Sequence, residues 1–181
     1  MRVIAGSAGG IRLLSARGMA TRPTLDRVRE SLFGILAPRL AGAQVLDLYA
    51  GTGALGLEAL SRGAEGCVFV ECDARALDVL RRNLLRTGLA ARARVEARRL
   101  PQGLAGLART GPFDLVLCDP PYALRPWAAL LSGVLPLLSP GAVVACEHAA
   151  QDELPLPGEL RVLRRERYGQ TSVSLLGRSE V

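Results

Sequence analysis

The sequence lacks most of the residues from which metal and redox sites are built. It has no lysine, four cysteines and a single histidine, His148, among its 181 residues. The cysteines, Cys67, Cys72, Cys118 and Cys146, lie in or at the ends of apolar runs and form no CxxC pair. We therefore predict small buried thiols in a reducing compartment. We predict no metal site, because zinc is usually held by clustered cysteine and histidine ligands.

Long hydrophobic runs are also absent. Apolar residues make up 49% of the chain, yet none of its runs reaches the roughly 18 residues that suggest a membrane span. The first residues lack the apolar core of a secretion signal. We therefore expect a cytoplasmic protein with no membrane partner, acting as a monomer. Its length suits one domain with a sizeable core and is too short for two full domains.

Positive charge comes entirely from arginine. The 23 basic residues are all arginine, and the net charge is +6. Genome composition alone could explain the missing lysine. The planar fork of arginine nevertheless suits phosphate groups, and small basic proteins often meet nucleic acid. Charge makes a nucleic-acid partner plausible and does not establish one.

The stretch from Val45 to Gly56 organises the rest of the chain. An apolar run at Val45–Leu48 predicts a short buried strand, and Ala54–Leu60 is a series of strong helix formers. Between them lies a glycine-rich turn, in which residues without Cβ allow a ligand to come close to the backbone. Strand, glycine turn and helix are typical of the nucleotide pocket of an open parallel α/β sheet.

Two cofactors compete for this turn. Gly51, Gly53 and Gly56 match the dinucleotide pattern GxGxxG, and Glu71 follows at the ribose-binding spacing of about 20 residues. That pattern would suggest NAD, although an ordinary tight turn also produces it. Asp47 favours the other cofactor, because a carboxylate at the strand end repels a pyrophosphate and suits the amino end of a methionine-type ligand. The segment Asp47–Gly53 resembles motif I of the class I S-adenosylmethionine-dependent methyltransferases.

A second motif follows the predicted strand Phe113–Cys118. Asp119-Pro120-Pro121-Tyr122 could be only a rigid turn, but it falls at the carboxyl end of a strand expected beside the first one, where ligands bind. It resembles the Asp/Asn-Pro-Pro-Tyr/Phe motif of methyltransferases that modify exocyclic amines. The Asp119 carboxylate and the Pro120 carbonyl can accept the two N–H bonds of such an amine, and Tyr122 can stack on the base. His148, just beyond the predicted fifth strand, is interpreted as a surface or core residue rather than a catalytic base.

The alternation of strands and helices predicts an α/β fold with a doubly wound, mostly parallel sheet. Residues 1–20 suggest a small β-hairpin placed before the main domain of residues 21–181. A helix is expected over Thr24–Leu36. Residues 160–168 and 171–176 suggest an antiparallel hairpin at the end of the chain.

Arginines near the predicted first helix exceed the acids around them. Arg22, Arg27 and Arg29 accompany Asp26 and Glu30 there. Intrahelical ion pairs on a solvated face are one interpretation. Phosphate contact is the other, and the sequence does not decide between them.

Nearly the whole chain resembles the bacterial 16S ribosomal RNA guanine methyltransferase family that modifies the guanine 2-amino group. The matching segments are Arg2–Gly6, Arg22–Phe33, Asp47–Glu58, Asp119–Tyr122 and Tyr168–Thr171. The resemblance implies a seven-stranded class I methyltransferase (Rossmann-like) sheet, S-adenosylmethionine as donor, and 16S ribosomal RNA, within a small subunit or its assembly particle, as acceptor.

The resemblance also implies a set of site residues. Those expected at the donor are Asp47, Tyr49, Ala50, Gly51, Gly53, Glu71, Cys72, Arg99, Leu100 and Asp119. Those expected at the acceptor are Arg22, Thr24, Arg27, Arg29, Tyr122 and Tyr168, with Asp119, Pro120, Pro121 and Tyr122 as the catalytic motif. The chain departs from the family where Arg98-Arg99 replaces the usual acid or amide near the adenine, so backbone amides at Arg99 and Leu100 are the alternative contact. DNA or another RNA as acceptor, and an NAD-dependent oxidoreductase, are the competing hypotheses.

Overall fold

The computed structural model describes residues 1–15 and 23–179, with side chains described from residue 26 onward in the first helix. Its centre is one sheet of seven strands in the order β3-β2-β1-β4-β5-β7-β6. The strands are β1 (Gln44–Leu48), β2 (Gly66–Glu71), β3 (Ala93–Ala97), β4 (Phe113–Cys118), β5 (Leu138–Ala149), β6 (Leu160–Tyr168) and β7 (Thr171–Arg178). The first five run parallel, and β7 pairs antiparallel with both β5 and β6. The predicted doubly wound sheet with an antiparallel edge is confirmed.

Helices cover both faces of the sheet. They are α1 (Pro23–Leu36), α2 (Ala54–Ser61), α3 (Ala74–Thr87) and α4 (Trp127–Val134). Asp73 caps α3 by accepting the Ala76 N–H, a common way to satisfy a free helix donor. Between β3 and β4 the chain forms a 3-10 helix over Gln102–Leu107. Helix α4 ends at Val134, before a 3-10 turn that contains Pro136.

Two apolar cores lie on opposite faces of the sheet. Val45 of β1 packs with α1, α2 and α3 on one face, whereas Leu46 packs with α4 on the other. Leu115 and Val116 of β4 divide between the faces in the same way. Because side chains alternate along a strand and both faces are covered, the central strands are mostly apolar. A polar side chain in these strands therefore stands out, and Asp47 in β1 is buried.

The N-terminal segment forms a narrow hairpin held by side chains of α2 and α3. A single bridge joins Arg2 and Arg12. Glu58 of α2 accepts the N–H groups of Ile4 and Ala5, and Asn83 of α3 accepts the N–H of Leu14. The chain runs so close to α2 that a Cβ on the glycine at position 6 would lie 1.8 Å from a backbone oxygen. The predicted domain boundary at residue 20 lies outside the described residues.

The structure corrects the predicted burial of one cysteine and the predicted strand position of His148, which is a core residue, one of its two expected environments. Cys72 is exposed, unlike the three other cysteines, because it follows β2 at the rim of the sheet. His148 lies within β5 rather than beyond it, and it is buried. Its Nδ1 contacts the Ala149 carbonyl and its Nε2 contacts the Ser174 hydroxyl, each at 2.9 Å. Since a carbonyl only accepts, Nδ1 carries the proton, and burial lowers the histidine pKa.

Among the described helices, none combines the length and the apolar character that crossing a membrane would require.

Candidate active site

A cleft of about 1280 Å³ opens at the carboxyl ends of the parallel strands. It lies where the strand order reverses between β1 and β4, which is the usual ligand position in such sheets. Sequence-predicted residues that line it are Asp47, Tyr49, Ala50, Gly51, Glu71, Cys72, Arg99, Leu100, Asp119, Pro120, Pro121, Tyr122 and Tyr168. We call the part formed by Asp47, Gly51 and Glu71 the donor half, and the part formed by Asp119, Tyr122 and Glu147 the acceptor half.

Glu71 fixes the glycine loop of the donor half. Its Oε2 accepts the Gly51 N–H at 2.8 Å, and its Oε1 accepts the N–H groups of Cys72 and Asp73 at 2.7 and 2.8 Å. Gly51 needs its backbone freedom here, because its φ is 55°. The carboxylate that the sequence predicts to bind a ribose therefore joins β2 to the loop after β1 in this structure.

Gly53 and Gly56 serve packing. A Cβ on Gly53 would lie 2.3 Å from Leu80 Cδ1, and a Cβ on Gly56 would lie 2.3 Å from Phe69 Cε1. Both positions therefore face the apolar core, and Gly53 additionally begins α2 at a φ of 85°. Packing and backbone conformation therefore require glycine at position 53 independently of the ligand approach that the sequence predicts.

Asp47 is a buried acid at the base of the donor half. Its Oδ2 accepts the Gly56 N–H at 2.9 Å. Burial, with smaller effects from the charges of Asp119 and Glu71, raises the pKa of Asp47 to about 7. A cation bound in the cleft would favour the ionised form of Asp47, and the ionised carboxylate would in turn stabilise the bound cation.

The acceptor half contains two more acids with raised pKa values. Burial raises the pKa of Asp119 to about 6, and burial together with the Asp119 charge raises the pKa of Glu147 to about 8. The Tyr122 hydroxyl lies 2.8 Å from Thr171 Oγ1 and donates to Glu147 Oε1 at 3.4 Å. The Tyr122 side chain is 40% exposed, so it remains available to a stacked base.

Sequence reasoning did not assign a role to Glu147. The signal was present, because Glu147 follows the apolar run Ala142–Cys146 as Asp119 follows Phe113–Cys118. An acid directly after the apolar run of a parallel strand falls at the ligand edge of the sheet. Four acids at or near the carboxyl ends of parallel strands (Asp47, Glu71, Asp119 and Glu147) line the cleft together.

Tyr49 presents an unpaired polar atom. Its hydroxyl is buried without a hydrogen-bond partner in the described part of the chain. Its backbone has a φ of 58°, which is uncommon for a residue with a Cβ. Such strain is concentrated at binding sites. The ring lines the cleft, so a ligand atom there could satisfy the hydroxyl.

The residues predicted to hold RNA separate into different environments. Arg29 is 4% exposed, and its guanidinium donates to the Arg2 carbonyl and to Asp26. It joins the N-terminal hairpin to α1, so its prediction as a phosphate contact is wrong. Arg27 is exposed. The Tyr168 hydroxyl contacts Ser31 Oγ at the rim of the cleft. The predictions for Arg22 and for the Thr24 side chain lie outside the described residues.

The cleft distinguishes between the two candidate cofactors. A dinucleotide would place its pyrophosphate against free amides of the glycine loop, but Glu71 already occupies the Gly51 N–H. The surrounding acids repel phosphate and attract a sulfonium and an ammonium group. The unpaired Tyr49 hydroxyl and the buried Asp47 also fit the polar groups of such a ligand. A cleft of this kind, at the switch point of this sheet, defines a class I S-adenosylmethionine-dependent methyltransferase.

Comparisons with known proteins agree. Residues 1–177 match the family model described as Conserved hypothetical protein 95. The chain is 37% identical to ribosomal RNA small subunit methyltransferase D of Escherichia coli strain K12, over 98% of this chain and 90% of that protein. It is 39% identical to YlbH of Bacillus subtilis, over 97% of each chain. The solved structure of yhhF from Escherichia coli has a TM-score of 0.83 at 35% identity, covering 98% of this chain and 97% of that one. The chain belongs to the family described by the Conserved hypothetical protein 95 model, and its methyl donor is S-adenosylmethionine.

Proposed function

We propose that this protein transfers a methyl group from S-adenosylmethionine to the 2-amino group of a guanine in small-subunit ribosomal RNA. The observation that carries the proposal is the position of Asp119. It lies beside the donor half, directly before the buried Pro120 and the exposed Tyr122. The family relative named for small-subunit ribosomal RNA, together with the basic charge of the chain, supports the choice of substrate.

The acceptor half would act mainly by positioning. The lone pair of an exocyclic amine is delocalised into the base, so the nitrogen is a weak nucleophile. Asp119 and the Pro120 carbonyl accept its two N–H bonds and direct the remaining lone pair at the methyl carbon. Holding reacting groups in this way can lower a barrier by up to about 7–11 kcal/mol.

The step itself needs no side-chain nucleophile. Bound S-adenosylmethionine supplies a methyl group on a sulfonium, whose departure leaves a neutral thioether. The N–C bond forms as the C–S bond breaks, and the electron pair of the C–S bond stays on sulfur. The amine then loses one proton, for which the Asp119 carboxylate is the nearest base in this arrangement. Burial holds the pKa of Asp119 at about 6, which suits a group that accepts a proton and then releases it.

The experiment is a methylation assay with labelled S-adenosylmethionine. Small-subunit RNA, a small-subunit particle, transfer RNA and duplex DNA are offered in parallel, and modified nucleosides are identified by mass spectrometry. We expect 2-methylguanosine from one of the first two substrates. Methyladenine from DNA or transfer RNA would instead support a different amine acceptor. Tight NAD binding without S-adenosylmethionine binding would contradict the donor assignment as well.

A further inference from the structure

Glu147 is a buried carboxylate that the proposed transfer step leaves without a role. It is 8% exposed, and it lines the cleft. Cys118 of β4 lies opposite Cys146 of β5 in the parallel register. Asp119, directly after β4, and Glu147 of β5 each follow one residue later, so they are neighbours at the carboxyl ends of the two strands, and the charge of Asp119 acts on Glu147. The cleft therefore contains two adjacent acids, only one of which holds the amine.

Few contacts of Glu147 would stabilise its ionised form. Its only hydrogen-bond donor in the described residues is the Tyr122 hydroxyl, which Thr171 also contacts. Within the same described ranges it forms no ion pair, and the charge that affects its pKa is that of Asp119. A carboxylate removed from water without donors is costly. Such a group points to a ligand that brings an N–H bond to it.

We propose that Glu147 selects guanine by accepting the N1–H of the base whose 2-amino group Asp119 holds. This inference rests on the proposed function, since it concerns the same base in the same cleft. In this inference Glu147 determines which base is accepted, whereas the Asp119–Tyr122 motif positions the reacting amine.

The edge of guanine matches two adjacent acceptors. Guanine presents the N1–H and the 2-amino group side by side, and both are donors. Adenine places a bare ring N1 beside its 6-amino group, and cytosine places a bare N3 beside its 4-amino group. Either base would therefore set a lone pair against a Glu147 oxygen. Repulsion of this kind is an effective source of specificity, because the wrong base leaves buried polar groups unpaired.

The methyl donor favours the required ionisation state. Burial raises the pKa of Glu147 to about 8 in the ligand-free cleft. A sulfonium and an approaching N–H bond both stabilise the ionised carboxylate and lower that pKa. Glu147 is thus best able to accept a hydrogen bond when both substrates are present.

The test compares two acceptor bases with three forms of the protein. The guanine that the wild-type protein methylates is located by mass spectrometry, and a matched RNA carries 2,6-diaminopurine at that position. The analogue keeps the 2-amino group but has a bare N1. Wild type, Glu147→Gln and Glu147→Ala are assayed under single-turnover conditions with both RNAs. Glu159→Gln, an exposed acid outside the cleft, is the charge control. Thermal melting and S-adenosylmethionine affinity check that each variant is folded.

We expect wild type and Glu159→Gln to prefer guanine by roughly 10- to 100-fold, the discrimination that one well-placed base contact provides. Glu147→Ala should lose this preference through a lower rate on guanine. In Glu147→Gln the preference should shrink or reverse, because an amide can donate to a bare N1. An equal loss on both RNAs would show a merely structural role and overturn the inference. So would a wild-type protein that methylates both bases equally. Absence of guanine methylation by wild type would instead contradict the proposed function.

Discussion

The two halves of the cleft use the same kind of side chain but hold it differently. In the donor half, Asp47 and Glu71 accept backbone N–H groups from the loop and helix that follow β1. In the acceptor half, Glu147 is held only by a tyrosine hydroxyl, and the Asp119 carboxylate has no hydrogen bond in the described structure. Backbone amides fix a carboxylate as part of the fold, whereas unpaired acids are available to a ligand. The donor half is therefore preorganised, and the acceptor half is completed by the base.

This difference predicts that Asp119→Ala gives the largest loss of activity and leaves the fold nearly unchanged. We expect turnover to fall by about 10²–10⁴-fold, the range for losing a positioned acid–base group. Affinity for S-adenosylmethionine should stay within a few-fold, because Asp119 faces the acceptor. Single-turnover rates and calorimetry measure the two quantities. Asp78→Ala, an exposed acid on α3, is the control. A near-normal rate in Asp119→Ala would exclude the positioning role.

Glu71→Ala should behave in the opposite way. It removes three hydrogen bonds to backbone N–H groups, including that of Gly51. Each hydrogen bond to a charged group contributes about 1.5–3 kcal/mol, so we expect a lower melting temperature as well as donor affinity reduced by at least roughly 10-fold. Hydrogen exchange at the Gly51 amide should accelerate. Unchanged exchange there would show that the loop is fixed by something other than Glu71.

Sequence patterns predicted the apolar strands and three of the acids at their carboxyl ends best. The apolar strands, the acids after them and the glycine turn depend on local periodicity and on the switch-point rule, so Asp47, Glu71 and Asp119 were placed correctly at one edge. Arg29 and Glu147 show what such patterns miss. The burial of Arg29 depends on a hairpin that comes from another part of the chain. The role proposed for Glu147 depends on the register between β4 and β5, which no local pattern specifies.

The buried acids should also make the ligand-free protein sensitive to pH. The pKa of Asp47 is raised to about 7, so the folded protein keeps a proton that the unfolded chain releases near pH 4. Because stability falls with pH wherever the folded state binds more protons, Asp47 should destabilise the protein progressively from about pH 4 to 7. His148, with its lowered pKa, acts in the opposite direction.

Comparison with Asp47→Asn isolates the contribution of Asp47 to this pH dependence. The asparagine can still accept the Gly56 N–H, so the variant should gain stability relative to wild type at pH 8 and little or none at pH 4. Denaturant unfolding across this range measures the difference. A difference that does not vary with pH would mean that Asp47 ionises normally in the folded protein.

The smallest expected effect concerns the arginines of α1, where the contrast between fixed and available groups recurs. Arg29 is buried and bonded to the Arg2 carbonyl, whereas Arg27 is exposed. If Arg27 contacts one phosphate of single-stranded RNA, Arg27→Ala should reduce the slope of log affinity against log salt by about 0.7. Arg29→Ala should leave that slope unchanged and instead lower the free energy of unfolding by about 1–3 kcal/mol.

Arg109→Ala removes the same charge from an exposed site at the other edge of the sheet, before β4. RNA affinities measured across a salt series, with denaturant unfolding of each variant, separate the two roles. Equal slopes for Arg27→Ala, Arg109→Ala and wild type would assign Arg27 to the solvated ion-pair face that the sequence also allowed.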